Sequence, residues 1–385
     1  MIKRKKYLKR IETALGRNPI VMLLGPRQCG KTTLARAFSD PRNATYFDLE
    51  DPVVAALFEE PMTVLRSLSG LVVIDEAQRQ PGIFPVLRVL ADRPEAPASF
   101  LILGSASPSL SRQASESLAG RVEIIDMRGL DLCEVSPGED FDLWIRGGFP
   151  RSFLARSDAD SWQWRRDFIR TYLERDLANL GFGMDPAAMG RFWTMVSHYH
   201  GQVWNASETA ASLGVAPNTA RKYLDALEQT YMIRRLQPWY VNVGKRLVKT
   251  PKIYFRDSGL FHALQGIRNQ AELLTHPKLC ASWEGFALEE TIHALQAQEA
   301  YFYAIHSGSE LDLFMPLPGK RLGVEFKRQD APRLTRSMHI AIADLELDEF
   351  WVVYPGEREY HLDEQVTVKP LQDVVRSNNG NQENR

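Results

Sequence analysis

One stretch limits the folds open to this chain more than any other. Gly25-Pro26-Arg27-Gln28-Cys29-Gly30-Lys31-Thr32 follows an apolar run at 20–24 and opens a helical pattern. A strand, a glycine-bearing turn and a helix ending on Gly-Lys-Thr make a P-loop. Its glycines let backbone N–H groups curl around phosphate oxygens, and the helix N-terminus adds its positive dipole end. The expected ligand is ATP with magnesium, and hydrolysis the expected reaction. Gly25, Pro26, Arg27, Gln28, Cys29, Gly30, Lys31, Thr32 and Thr33 would form the cradle. Lys31 would reach the β- and γ-phosphates, and the Thr32 hydroxyl would hold magnesium.

Further apolar runs at 44–49, 71–74 and 100–103 alternate with helical stretches. Unbroken apolar runs between helices predict a parallel sheet covered on both faces, ending near 122–127 with a linker around 136–140. The run 71–74 leads into Asp75 and Glu76. Asp75 would support magnesium, and Glu76 would take a proton from the attacking water. Ser105 ends the run at 100–103 and reads either as a sensor of the γ-phosphate or as a strand-end cap. Arg121, with Arg112 as a weaker alternative, reads either as a group that neutralises transition-state charge or as part of a structural salt bridge.

At 385 residues the chain has room for two or three domains. Its net charge of -1 excludes bulk attraction to nucleic acid or to an anionic membrane, so any such attraction must come from a local patch. Cys29, Cys133 and Cys280 lie too far apart for zinc spacing or a disulfide framework, which points to a reducing cytoplasm. No apolar run has the length of a membrane span. The basic start, 1–10, reads as a short amphipathic helix, its basic face either solvated or a nucleic-acid arm. The Asn-rich tail, 376–385, reads as disordered.

Beyond the first sheet, 142–264 is mostly helical, with a long helix expected at 161–180. Arg165, Arg166, Arg170 and Arg175 would lie on its solvated face. A short helix at 207–213, Gly214 as its stop, a second helix capped by Asn218 and reaching residue 229, and a strand at 231–236 outline a winged helix-turn-helix. Asn218, Thr219, Arg221 and Lys222 suit a DNA groove. Arg234, Arg235, Lys245, Arg246, Lys249 and Lys252, with Trp239 and Tyr240, would extend the patch across the wing. A lid or a dock for a protein partner is the other reading.

From about residue 283 the pattern returns to α/β: a helix at 283–298, strands at 301–305, 311–315 and 322–326, a helix at 333–344 and a strand at 349–354. Glu325 and Lys327 are two apart on a strand and share a face. With Asp312 upstream and Glu284 or Glu290 on the helix, the order resembles the PD-(D/E)xK nuclease core. That resemblance implies Asp312, Glu325 and Glu284 as magnesium ligands and Lys327 as the group that orients water. The alternative is a domain whose carboxylates only pair with Lys327.

The run 23–34, with Ile74-Asp75-Glu76-Ala77-Gln78, Leu103-Gly104-Ser105-Ala106-Ser107, Leu118-Ala119-Gly120-Arg121, Arg146-Gly147-Gly148-Phe149-Pro150 and Tyr172-Leu173-Glu174-Arg175-Asp176, resembles a family of prokaryotic AAA-type ATPases. Members carry a C-terminal domain of unknown function, whose signature is similar to Pro251-Lys252-Ile253-Tyr254-Phe255-Arg256-Asp257-Ser258-Gly259-Leu260. The resemblance implies an ATP-binding core and admits homo-oligomers, in which an arginine of one subunit completes the next subunit's site. The expected organisation is an α/β P-loop domain at 1–135, a helical winged-helix region at 142–264, a restriction-endonuclease-like α/β domain at 280–370 and a tail at 376–385. The leading expectation is an ATP-driven protein that processes or senses DNA. The alternative is an ATP-controlled switch for a protein partner. A small-molecule kinase fits less well, because Asp75-Glu76 suits water as acceptor.

Overall fold

The computed structural model describes residues 2–93, 98–105, 110, 116–240, 248–306 and 308–376. Ala106, Ser107, Arg112, Lys245, Arg246 and the tail beyond Arg376 lie outside the described residues. The chain divides into two compact units. One comprises Met1–Leu130, Glu174–Met184 and Gln229–Tyr231; the other comprises Asp131–Leu173, Asp185–Glu228 and Met232–Arg385.

The first unit is built on a five-stranded parallel sheet. Its strands are β1 (Ile20–Gly25), β2 (Thr45–Asp48), β3 (Gly70–Asp75), β4 (Ala98–Ser105) and β5 (Val122–Asp126), in the order β2-β3-β4-β1-β5. Every residue of β1 is buried, as an apolar strand with helices on both faces requires. Met22, Leu24, Val72, Ile74, Phe100 and Ile102 share one face and pack with Phe84 and Leu87 of the helix Ile83–Ala91. The N-terminal helix, Lys5–Leu15, buries Tyr7, Ile11 and Ala14 and leaves its lysines outside. It begins and ends later than the basic stretch, because those three buried side chains define its face.

The second unit holds a nine-stranded mixed sheet. After β6 (Gln202–Val203), β7 (Ile233–Pro238), β8 (Lys252–Phe255) and β9 (Tyr301–Ala304) come β10 (Glu310–Leu317), β11 (Lys320–Phe326), β12 (Glu349–Tyr354), β13 (Tyr360–His361) and β14 (Val366–Pro370). Their order is β13-β14-β12-β11-β10-β9-β7-β8-β6. The stretches 142–264 and 280–370 thus share one sheet, joined where Gln237 and Pro238 run parallel to Tyr301 and Phe302.

The two helices expected there run Ala206–Leu213 and Pro217–Gln229. Asn205 caps the first helix by accepting from Ser207 N, and Gly214 ends it at φ +68°. The second helix starts at Pro217, whose ring presets helical φ, so Asn218 lies inside the first turn and accepts from Arg221 Nη1 at 2.7 Å instead of capping. Tyr231 takes φ +63°, so the strand expected from that position begins only at Ile233. The long helix runs Asp158–Thr171 and passes through a π-helical segment at Tyr172–Asp176. Arg165 is fully buried, not solvated, donating to Ile145 O and Gly259 O. Burial pulls its guanidinium down to about 10. Arg166, Arg170 and Arg175 are exposed.

Candidate functional site

The phosphate cradle sits where β1 gives way to the helix Lys31–Ser39. Gln28 and Gly30 both adopt positive φ, at +63° and +99°, which turns successive backbone N–H groups inward. Gly25 must be glycine, because a Cβ there would lie 2.1 Å from Met127 O. Cys29 is buried beneath the turn, its Sγ donating to Met127 O at 3.8 Å. Lys31, 5% exposed, donates to Gly25 O at 3.0 Å and Pro26 O at 2.8 Å, which holds its charge within the loop. Arg27 is ion-paired to the buried Asp176, with Glu50 at 3.4 Å. Thr33 is exposed on the first turn of the helix.

Asp75 Oδ2 accepts from Thr32 Oγ1 at 2.8 Å and from Tyr46 OH at 2.7 Å, while Oδ1 accepts from Glu76 N at 2.9 Å. Burial and the bond to Asp75 push the Tyr46 phenol well above its usual range, so it stays a donor. Glu76 sits at φ +56°, a left-handed conformation that non-glycine residues hold only when their surroundings enforce it. Burial raises its carboxyl above the usual range, against the opposing pull of Lys31. Gln78 does the enforcing: Nε2 donates to Glu76 Oε2, and Oε1 accepts from Ser105 N at 3.2 Å.

Ser105 pairs directly with Gly25 across β4 and β1. Its hydroxyl is buried and has no hydrogen-bond partner among the described residues. A buried orphan oxygen beside a phosphate cradle, with Thr32 and Asp75 together at its edge, fits ATP with a hard divalent cation. Arg121 lies elsewhere. The register sets Val122 beside Ile20, at the opposite end of β1 from Gly25 and about 16 Å away along the strands. It forms a surface pair with Asp92, at 2.6 and 2.8 Å. Arg121 therefore cannot serve the cradle of its own chain.

In the second unit, Asp312 on β10 and Glu325 on β11 are neighbours one step beyond the Leu313–Val324 pair. Asp312 Oδ2 accepts from Phe326 N at 3.0 Å, and Lys327 Nζ donates to Glu325 Oε1 at 2.6 Å. Glu284, on the helix Leu279–Leu295, accepts from Tyr254 OH at 2.6 Å. Glu290 points elsewhere, taking Leu132 N at 2.9 Å. Burial, with Asp312 close by, pushes Glu284 up to about 8 and Glu325 up to about 7. Among the described residues no group of three or more His, Cys, Asp or Glu side chains is arranged to hold a metal ion, so the expected set of Asp312, Glu325 and Glu284 does not fit magnesium as it stands. Lys252, expected on an exposed wing, is instead buried against Glu310 and Asp312.

The other cations expected on a wing divide in the same way. Arg234 is bound to Glu289, Arg235 to Asp225 and Glu228, and Lys249 is exposed. Trp239 packs on Tyr301 and Phe314, while Tyr240 is exposed. Asn218, Arg221 and Lys222 are exposed on the second helix, and Thr219 is half-buried.

The uncharacterized protein Rv2008c of Mycobacterium tuberculosis is 49% identical over 375 residues, 97% of this chain and 85% of its own length. The chain belongs to its family. Uncharacterized protein Mb2031c of Mycobacterium bovis matches to the same extent. Residues 17–136 of this family member match a model described as an AAA domain, 139–271 a domain of unknown function (DUF8612) and 280–374 a domain of unknown function (DUF4143). The Walker-type ATPase paby2304 of Pyrococcus abyssi shares the fold, with a TM-score of 0.50 at 15% identity over 69% of this chain and 96% of its own. The family member thus carries an AAA-type P-loop ATPase domain and with it an ATP-binding site. No helix among its described residues is long and apolar enough to cross a membrane.

Two of the motifs that carry the resemblance turn out to be one structural joint. Asp257 Oδ2 accepts from Gly148 N at 2.8 Å and Oδ1 from Leu260 N at 2.8 Å. A Cβ on Gly259 would lie 2.1 Å from Arg146 O. Arg165 bonds across the same joint. Tyr46, Gln78 and Asp176 are the residues that local reading leaves without a role. Gln78 and Asp176 stand inside quoted motifs, so position within a motif is the signal that marks them.

Proposed function

We propose that this protein hydrolyses ATP at the cradle of its first unit. The observation that carries the proposal is the pair of hydrogen-bonded groups facing one loop: Asp75 held by Thr32 and Tyr46, and Glu76 held by Gln78. The backbone of Gly25 to Thr33 and the ammonium of Lys31 would bind the β- and γ-phosphates. Thr32 and Asp75 would hold magnesium, which when bound offsets charge on the β- and γ-oxygens. Glu76, its carboxyl raised above the usual range by burial, would accept a proton from the attacking water, and the Ser105 hydroxyl would donate to a γ-phosphate oxygen. Arg121, too far away in its own chain, could act only on the cradle of a second copy, as in a homo-oligomer. Three free cysteines suit a reducing, cytoplasmic setting.

A second reading adds DNA as the partner that hydrolysis serves. It is favoured by the exposed Asn218, Arg221 and Lys222 on one helix of a helix-turn-helix. Internal pairing of Arg234, Arg235 and Lys252 confines that patch to the helix and Lys249, so a protein partner remains the competing occupant. Phosphate release from ATP and magnesium, measured with and without single- and double-stranded DNA, tests both. Hydrolysis that disappears in Lys31→Ala establishes the ATPase; its absence in the unaltered protein refutes it. Stimulation by DNA that is lost in Arg221→Ala/Lys222→Ala supports the DNA reading. Indifference to DNA at low salt transfers the role to a protein partner.

A further inference from the structure

We infer that the carboxylate cluster of the second unit is a cation site already occupied by the protein itself, through the ammonium of Lys252. Lys252 and Tyr254 are two apart on β8 and therefore point the same way. Both enter the cluster: Lys252 pairs with Glu310 and lies 3.8 Å from Asp312 Oδ1, and Tyr254 donates to Glu284 at 2.6 Å. The lysine side chain is 5% exposed, and its ammonium lies over the Phe302 ring at 5.5 Å. Its charge also acts on Glu284 and Glu325. A strand of the wing thus inserts a two-residue tooth among the very oxygens that the nuclease-like order of residues would offer to a metal.

The remaining oxygens show what the cluster would otherwise be. Glu325 Oε2 is buried and has no hydrogen-bond partner among the described residues, so the chain itself supplies this oxygen with no neutral donor. A divalent ion beside it and Asp312 would be repelled by the ammonium a few ångströms away. A buried lysine and a dication compete for one set of carboxylates, and β8 supplies the lysine covalently. The second unit is then a carboxylate-bearing scaffold without metal-dependent cutting, an inference that stands apart from the ATPase reading.

The test is Mn2+ binding to the full nucleotide-free chain, followed by electron paramagnetic resonance. The unaltered protein and Asp312→Asn are expected to bind Mn2+ alike. Lys252→Met, which keeps the apolar stem and removes the charge, is expected to gain one site at least tenfold tighter than any in the unaltered protein. Lys252→Met/Asp312→Asn should lose that site, and Lys252→Arg should not gain it. A tenfold loss of Mn2+ affinity on Asp312→Asn alone would overturn the inference, whatever becomes of the lysine variants. So would a Lys252→Met protein that keeps native tryptophan fluorescence yet gains no site.

Discussion

Each unit sets acidic residues at a strand end beside a lysine and a tyrosine, and the two arrangements differ in where the lysine's charge goes. In the first unit Lys31 donates to two backbone carbonyls, and Asp75 is held by neutral hydroxyls from Thr32 and Tyr46. Its negative charge is left for a cation. In the second unit Lys252 and Lys327 pair directly with Glu310 and Glu325, and Asp312 is within reach of the first. Neutral donors orient a carboxylate without cancelling it, whereas ammonium partners do both. If both proposals hold, acidic residues at a strand end stay open to a cation where their donors are neutral and are closed to it where their donors are ammonium groups.

The sharpest way to break this contrast is at Glu76. Glu76→Gln keeps the shape and the Gln78 contact but removes the base, so kcat should fall about thousandfold with ATP binding retained. A fall of less than threefold in steady-state phosphate release would remove Glu76 from the chemistry. Acid separates the units next. All eight histidines and all eight tryptophans lie in the second unit. His200 and His262 are fully buried, and burial pulls both down to about 3. The unfolded chain takes up these protons below about pH 6.5 and the folded one does not, so the two histidines' contribution to stability is lost as pH falls from about 6.5 towards 3. At pH 5 each histidine should cost about 2 kcal/mol. Glu284 and Glu325, raised in the same unit, gain stability over that interval. The histidine contribution is therefore read by comparing the unaltered protein with His262→Gln in urea unfolding followed by tryptophan fluorescence at pH 7.5 and 5. An equal pH dependence of the two midpoints would contradict it. Smaller again is Tyr46→Phe. Losing one donor to Asp75 should weaken magnesium-dependent ATP binding about tenfold, seen as a rise in the magnesium needed for half-maximal hydrolysis. An unchanged requirement would make Tyr46 a packing residue.

The cradle is readable from sequence because its information is local. Strand, turn and helix follow one another between residues 20 and 39, and one further strand end supplies Asp75 and Glu76. The parallel sheet follows from unbroken apolar runs for the same reason. What escapes local reading depends on pairing between distant segments. Tyr46 reaches Asp75 because β2 lies beside β3, and Arg121 is carried away from the cradle because β5 runs parallel to β1. Lys252 stands in a basic neighbourhood with Lys249, which suggests solvent or DNA. Only the chain of pairings β8-β7-β9-β10 turns it towards Glu310 and Asp312. Arg165 shows the same effect, since an arginine on a polar helix is buried once Ile145 O and Gly259 O converge on it.

The finest test of the comparison uses the second tyrosine. Tyr254→Phe removes the hydroxyl that donates to Glu284, as Tyr46→Phe does for Asp75. Glu284 titrates near 8, so at pH 7 it is mostly protonated and the lost bond is one between neutral groups. The variant should then be destabilised by about 1 kcal/mol. At pH 9 Glu284 is mostly ionised in the unaltered protein, and the Tyr254 bond favours that charged form. Removing the donor raises the Glu284 carboxyl further and leaves a buried charge with one partner fewer. The loss at pH 9 should therefore exceed the loss at pH 7, towards the ~1.5–3 kcal/mol typical of a bond to a charged group. Urea midpoints at the two pH values, read from tryptophan fluorescence, decide it. An equal loss at both would mean that Glu284 keeps one charge state across the range, and that Lys252, not the tyrosine, governs it.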